Sequence, residues 1–449
     1  MHIHLIAIGG AVMHNLALAL QLNGNIVTGS DDEIYNPARE RLAKVGILPE
    51  KDGWFPEKIT TDLDCIILGM HARADNPELL KAQALGLKIY SFPEYIYEHS
   101  KNKKRVVIAG SHGKTTTTSM IMHVLKNVGV DFDYLVGAQL AGFDNMVRLS
   151  DAPVMVIEGD EYLSSPIDRV PKIWHYKPHI AVITGIAWDH MNVFPTFNSY
   201  INAFSEFIKT IDSTGILFYA EGDNELKQIA QQSVCKRKSY TAFENVLENE
   251  VNYIFDTKKN LVPLSVFGKH NLANMRATYL VCRALNIKAK DFFISISSFT
   301  GAAKRLQTLH ETKTNIAFLD FAHAPSKVRA TVDAVKNRYP NRKLVACLEL
   351  HTFSSLNKDF LPQYRNTLSQ ADIAVVFFNK HTLAMKKMPT LQPNEMKTFF
   401  GLENLHVFTN NIDLELFLNQ LDFTNTNLLM MTSGNFMGLD LKGVSQLVG

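Results

Sequence analysis

The sequence predicts an α/β protein of three domains, each built on a parallel sheet wound with helices. Three observations carry that expectation. Short apolar runs recur along the chain and end in Gly, Ser, Asp or His, with helix-length stretches between them. The pattern restarts at the N-terminus, at RVVIAG and again after Thr308. A chain of 449 residues also exceeds what one hydrophobic core usually serves, and about 150 residues per domain gives about three.

Bulk composition removes several function classes. With 46 basic and 44 acidic residues the net charge is only +2, which gives nucleic acid or an anionic membrane nothing to attract it. KNKKR at 101–105 is the one compact basic run and reads as a solvated hinge between the first two blocks. Cys65, Cys235, Cys282 and Cys347 show no paired spacing, so neither a disulfide framework nor a zinc site is indicated and a reducing cytoplasm fits. No apolar run reaches the roughly 18 residues of a membrane span. The N-terminus MHIHLIAIGGAVMHNLALALQL has no Lys or Arg before Arg39 and is broken by Gly9, Gly10, His14 and Asn15, so it reads as strand, glycine turn and helix rather than as a signal peptide.

In the first block, residues 1–102, the strands are HIHLIAIGG, NIVTGSDD, DCIILGM and LKIYSFPEY, a Rossmann-like succession. Ligands of such sheets sit beyond the carboxyl ends of the strands, which directs attention to IGGAVMHN, GSDDEIYNP and GMHARADNP. Gly9 and Gly10 open a helix whose N-terminus could hold a diphosphate, and Ser30 and Asp31 end the next strand where a ribose would be met. His71 and Asn76 lie in the third of these loops. The glycine spacing departs from GxGxxG, which favours a nucleotide-sugar diphosphate over NAD.

The second block, residues 103–306, opens with RVVIAGSHGKTTTT. Its Gly-Lys-Thr run is of the phosphate-cradling kind but shorter than the usual loop, since Ile108 stands where a second glycine would be. Gly113 lets backbone approach phosphate, Lys114 brings charge to the outer phosphates, and Thr115 offers a hydroxyl to Mg²⁺. Glu158, Asp160 and Glu161 cluster directly after the strand PVMVI, and acids so placed repel one another unless a cation shares them. Asp189 and His190 follow another strand and are expected at the same rim, with Thr115 and Glu158 serving one cation and His190 a second.

The third block, residues 307–449, repeats the pattern with NIAFLDFAHAP, KLVACLELHTFSSLN, IAVVFFNK and NLLMMTSGNFMG. Each strand hands over to a polar loop, so Asp320, His323, His351, Ser354, Asn379, Ser433 and Asn435 are expected to line one crevice for a small polar molecule.

Taken in order, these motifs resemble the Mur ligases, ATP-dependent amide-forming enzymes of bacterial cell-wall peptide assembly. AGSHGKTTTT is similar to their compressed GTxGKTT loop, FGKHNLANMRA at 267–277 to their adenine-site motif, FTGAAKR at 299–305 to the linker whose arginine meets ATP, and LDFAHAP at 319–325 to their DDYxHxP signature. The resemblance implies ATP and Mg²⁺ as cofactors. It implies nucleotide contacts from Gly110, Ser111, His112, Gly113, Lys114, Thr115, Thr116, His270, Asn271, Asn274, Arg305 and Asp320, with Lys114, Glu158 and His190 catalytic. It further implies UDP-N-acetylmuramate on Gly9, Gly10, Ser30, Asp31, His71 and Asn76, and a murein peptide on His323, His351, Ser354, Ser433 and Asn435. EGDEYLSSPIDRVPKIWHYKP and SGNFMGLDLKG are closer to the branch that joins L-Ala-γ-D-Glu-meso-diaminopimelate to UDP-N-acetylmuramate than to the branch that adds L-alanine. The alternatives are that L-alanine ligase or a non-catalytic sensor of ATP and nucleotide sugar. A monomer and a weak dimer are both left open. Four departures stand out: Ser111 for a threonine, Ala324 for a second histidine, the loop HTFSSLN, and Phe204 where several members carry a carbamylated lysine.

Overall fold

The apolar run HIHLI becomes β1 (His2–Ile6), and with β2 (Ile26–Ser30), β3 (Cys65–Leu68) and β4 (Ile89–Ser91) it forms a wholly parallel sheet of order β2-β1-β3-β4. The computed structural model describes residues 1–189 and 191–449. Helices α1 (Ala11–Leu22), α2 (Ala38–Lys44), α3 (Pro77–Ala84) and α4 (Phe92–Ser100) occupy this first block. Because β1 passes on to β2 on one side and the chain returns to β3 on the other, the crevice of the sheet opens where β1 ends, at the Gly9–Gly10 turn.

The second sheet has the order β11-β10-β9-β5-β8-β6-β7. Its strands are β5 (Lys104–Ala109), β6 (Phe132–Leu135), β7 (Val147–Arg148), β8 (Val154–Glu158), β9 (Ile180–Ile183), β10 (Ile216–Ala220) and β11 (Lys236–Tyr240), all parallel except β7. Its central strands are buried on both faces, as their unbroken Val and Ile content requires. β5 is the switch point, so the loop from β5 into α5 (Lys114–Asn127) lies in the crevice. The outer edge is β11, whose sequence KRKSY exposes Lys236, Arg237 and Lys238.

A short antiparallel meander, β12 (Asn245–Glu248), β13 (Val251–Phe255) and β14 (Leu261–Leu264), precedes the third large sheet. That sheet runs β15-β16-β20-β17-β18-β19, with β15 (Gln307–Glu311), β16 (Ile316–Asp320), β17 (Lys343–Leu350), β18 (Ile373–Phe378), β19 (His406–Phe408) and β20 (Thr426–Met431). Alternate residues of its strands feed two separate cores. Phe318, Ala346, Val376 and Met431 pack on one face with Val328, Val332 and Val335 of the helix Pro325–Arg338. Leu319, Val345, Phe377 and Met430 pack on the other face with Leu414 and Leu418 of the helix Asn411–Asn419. Two buried faces explain why these strands read as continuous apolar runs.

The chain condenses into two units, residues 1–186, 201–241 and 277–295 in one and residues 187–200, 242–276 and 296–449 in the other. The first two sheets thus share a unit. Here the structure corrects one expectation, because KNKKR is not a solvated hinge. Arg105 is buried, and its guanidinium donates to the carbonyls of Ser100 and Lys101 at 2.8 Å and, through Nε, to that of Tyr176 at 2.9 Å. It closes the C-terminal end of α4, whose carbonyls have no helical partners, onto the central block. Lys103 pairs with the buried Asp133. Asn15 of α1 accepts from the Met146 amide at 3.0 Å, and Arg41 of α2 donates to Asn145 at 2.6 Å, so the two blocks are laced together at a second place.

Candidate functional site

β5 ends at Ala109 and α5 begins at Lys114, so four residues, Gly110 to Gly113, make the whole turn. Glycine is required at both ends. Gly110 has φ +121° and its Cβ would stand 2.8 Å from the Thr184 nitrogen, while Gly113 caps α5 at φ +73°. The end of β9 fixes the turn from beside it: Ser111 N–H donates to the Gly185 carbonyl at 2.9 Å, and the Thr184 hydroxyl donates to the His112 carbonyl. Thr184 was not legible as a site residue, because its role exists only once β9 lies next to β5.

The acids after β8 meet this turn as expected, but each does a different job. Thr115 Oγ1 donates to Glu158 Oε1 at 2.7 Å, and the Gly137 amide donates to Glu158 Oε2 at 2.7 Å. Glu161 is fully buried and pairs with Lys114 Nζ at 2.6 Å. Burial opposes the charge on Lys114, yet Glu161, Asp160 and Glu158 outweigh it and raise its pKa. Asp160 turns away to Lys172 at 2.7 Å; burial works against its charge, but Lys172 and Lys114 hold its pKa below the ordinary carboxylate value. Of the three carboxylates, Glu158 is therefore the one placed beside the Thr115 hydroxyl, and this pair of hard oxygen donors fits Mg²⁺. Thr116 is buried within the first turn of α5. Phe204 is fully buried, a phenyl ring in a place that cannot carry a carbamate. His190 lies outside the described residues.

In the first block the Ser30 carbonyl accepts from Ala7 and Ile8 at 2.9 and 3.1 Å, which shapes the turn before α1. Asp31 Oδ2 accepts from the Gly9 amide at 2.7 Å, and burial, with Asp32 beside it, pushes its pKa up to about 6. Gly10 is the N-cap of α1. His71 is exposed, whereas Asn76 is buried and its side-chain oxygen caps α3, accepting from Glu78 and Leu79 at 3.0 and 3.1 Å.

The other unit gathers the remaining candidates in two places. In the FGKHN segment, Gly268 has φ +88° and its Cβ would stand 2.6 Å from that of Ala334. Asn271 donates to the Phe267 carbonyl at 2.8 Å, Asn274 is buried, and burial lowers His270 to about 4, so that imidazole is neutral at pH 7. Asp320 accepts from the Leu306 and Ala322 amides, both at 2.7 Å, and so holds the segment that carries Arg305, whose guanidinium lies 4.7 Å from the Phe321 ring centre. Burial raises the pKa of Asp320 although Arg305 opposes it.

At the ends of β17 and β20 a buried carboxylate that sequence reading missed, Glu349, organises the rim. It accepts from the Thr432 hydroxyl and from the Phe436 amide at 3.0 Å, and its other oxygen is 3.7 Å from His351 Nδ1. A Cβ on Gly434 would come within 2.8 Å of Glu349 and 3.0 Å of His351, so the two loops are in close contact. Ser433 Oγ is buried without a hydrogen-bond partner among the described residues, and Asn435 is exposed. Ser354 accepts from the Met191 amide at 3.4 Å, and His323 Nε2 is 3.9 Å from Asp189. Asn379 caps the following helix, accepting from His381 at 2.8 Å. That places Asn379 in a capping role.

Comparison with known proteins adds to this geometry. Residues 108–282 match the Mur ligase middle domain, and residues 2–104 match the catalytic-domain family of Mur ligases. A UDP-N-acetylmuramate--L-alanine ligase from Clostridium botulinum is 33% identical over 385 residues, 81% of either chain. The chain belongs to the Mur ligase family. It is an ATP-dependent ligase that forms C–N bonds, in a family that uses ATP and Mg²⁺. Among solved structures, a UDP-N-acetylmuramate:L-alanyl-γ-D-glutamyl-meso-diaminopimelate ligase from Neisseria is 25% identical, with 66% of this chain and 98% of that one covered and a TM-score of 0.61. A murein peptide ligase from Psychrobacter arcticus and a UDP-N-acetylmuramate–alanine ligase from Thermotoga maritima share the fold. Both are 22% identical and match 100% of this chain, with 99% and 98% of theirs covered and TM-scores of 0.68 and 0.69. Among the described residues no helix is long and apolar enough to cross a membrane.

Proposed function

We propose that the chain joins L-Ala-γ-D-Glu-meso-diaminopimelate to UDP-N-acetylmuramate in cell-wall peptide recycling. Residues 1–102 bind the UDP-sugar, 103–306 bind ATP, and 307–449 bind the peptide. The observation that carries the choice of acceptor is the rim around Glu349. There His351, Ser433 and Asn435 are set side by side on two loops locked to one carboxylate. A peptide bearing several charged groups can satisfy such a rim, whereas free L-alanine would leave most of it unpaired.

The lactyl carboxylate attacks the γ-phosphate of ATP, ADP leaves, and the resulting acyl phosphate is attacked by the peptide's α-amine, which expels phosphate. Lys114 holds positive charge against the transferring phosphoryl group, where catalysis of this reaction class mainly acts. Thr115 and Glu158 would hold Mg²⁺, which neutralises charge on the phosphates when bound. His270, Asn271, Asn274 and Arg305 are assigned to the nucleotide, and His190 and His323 are candidates for the base that accepts the amine proton.

The test is an acceptor panel. With ATP, Mg²⁺ and UDP-N-acetylmuramate supplied, phosphate release should depend on the tripeptide and be negligible with L-alanine. Release driven by L-alanine alone would establish the second reading, which the L-alanine ligase relative at 33% identity favours. Absence of phosphate release with either acceptor would leave only a binding protein.

A further inference from the structure

We propose that Glu94, Asp168 and His175 form a binding site for one borderline divalent cation, Zn²⁺ in the first instance, separate in all its donors from the Thr115–Glu158 pair. One ligand atom from each of the three lies within 4.8 Å of the other two. The residues come from different blocks: Glu94 is in the first turn of α4, while Asp168 and His175 belong to the segment between β8 and β9.

The contact between His175 and Asp168 carries the inference. Nε2 is 2.7 Å from Asp168 Oδ2, yet it is shielded from solvent and makes no hydrogen bond among the described residues. A protonated Nε2 at that distance would aim its hydrogen at the oxygen; a deprotonated one would set its lone pair against an oxyanion. Two donors that stand this close with no hydrogen bond between them are spaced as ligands of a shared ion are. Ligands of one ion do this, since bonds of about 2.0–2.2 Å bring neighbouring donors to about 3 Å apart.

The surroundings prepare the donors. Glu94 Oε2 accepts from the Ser91 amide at 2.6 Å and the Ser91 hydroxyl at 2.8 Å, which orients the carboxylate. The same hydroxyl is 3.4 Å from Asp168 Oδ2, so Ser91 supports two of the three ligands. Asp168 is fixed in a tight loop: its amide donates to Ser165 Oγ and its carbonyl accepts from the Ser165 amide, both at 3.0 Å, and the Ser164 amide donates to the Val170 carbonyl at 2.9 Å. The positive end of α4 opposes a cation, and Glu94, the acid of that first turn, offsets it. One imidazole with two carboxylates suits Zn²⁺ or Mn²⁺ better than Mg²⁺ or Ca²⁺. An ion there would cross-link α4 to the central block.

The full-length protein is loaded with Zn²⁺ and dialysed against excess Mg²⁺, which keeps hard-oxygen sites occupied. The wild type should retain a single equivalent and melt at a higher temperature with Zn²⁺ than without. His175→Ala and Asp168→Asn should lose both effects, Ser91→Ala should weaken Zn²⁺ about 10- to 100-fold, and Glu158→Gln should retain Zn²⁺ as the wild type does. Equal retention by wild type and His175→Ala, or loss in Glu158→Gln, overturns the proposal. Should His175→Ala fail to fold, zinc-edge absorption of the Glu158→Gln protein decides: mixed nitrogen and oxygen donors support the site, and sulfur or oxygen-only donors overturn it.

Discussion

The chain builds a strand, a glycine turn and a helix twice, after β1 and after β5, and furnishes the two turns differently. At α1 the carboxylate of Asp31 already receives the Gly9 amide, so negative charge meets the positive end of the helix. At α5 the N-cap is Gly113 with no side-chain cap and no acid in the first turn, and the nearby acids are held aside by Lys114 and Thr115. A helix N-terminus therefore does not by itself specify a phosphate site; the group set against it decides. The α5 turn suits phosphate, and the α1 turn suits a partner that donates a hydrogen bond, such as a ribose hydroxyl, more than it suits the diphosphate expected there.

The contrast can be broken most sharply at α5. Lys114→Met should lower phosphate release about 10³-fold or more. It should also cost roughly 3–5 kcal/mol in denaturant unfolding, because it removes the cation paired with buried Glu161. The double variant with Glu161→Gln should recover the stability and none of the activity. Recovery of both would make the lysine structural. At α1 the effect is on stability and its sign is opposite to the usual carboxylate. The folded pKa of Asp31 is raised from 3.8 to about 6, so the favourable contribution is complete below about 3.8 and is lost as pH climbs through about 6. The loss is on the order of 3 kcal/mol. Asp31→Asn should flatten that slope in urea midpoints taken at pH 4 and pH 7.5, and parallel curves for the two proteins would refute it.

Away from the turns, Glu349→Ala should raise the KM for the acceptor roughly 5- to 150-fold, from about 1–3 kcal/mol of unsatisfied hydrogen bonding, with the KM for ATP unchanged. Equal changes in both would mean general loosening of the fold. The smallest effect is expected at Asn76. Asn76→Ala should cost about 1 kcal/mol of stability as a lost cap and leave UDP-sugar affinity as it was; calorimetry showing a marked loss of affinity would restore Asn76 as a ligand.

What the sequence made legible was what a strand end carries on its own. Gly110, Gly113, Lys114 and Glu158 are contiguous with β5 or β8, and their residue types announce their chemistry. Thr184 and Glu349 were not legible, because each acts on a loop that follows a different strand and acquires its partner only when β9 lies beside β5 or β17 beside β20. Asn76 shows the reverse case, a residue that admits two readings. A polar residue in a loop at the sheet's crevice looked like a ligand, but Pro77 at the start of α3 marks it equally as a helix cap. Arg105 was misread for a related reason: three lysines and an asparagine before it suggested solvent, and nothing local disclosed five backbone carbonyls, at 100, 101, 103, 176 and 177, facing one guanidinium.

β11 forms the outer border of the seven-stranded sheet, and among the described residues no strand pairs with the other side of its backbone. An open ladder of this kind is a template on which a second molecule can lay a strand of its own, and the apolar strands β10 and β9 continue the sheet inward from it. Lys236, Arg237 and Lys238 place three like charges along that border. Any copy that docked there in register would face its own cations, so the protein carries its colloidal protection in three residues that have no part in its chemistry.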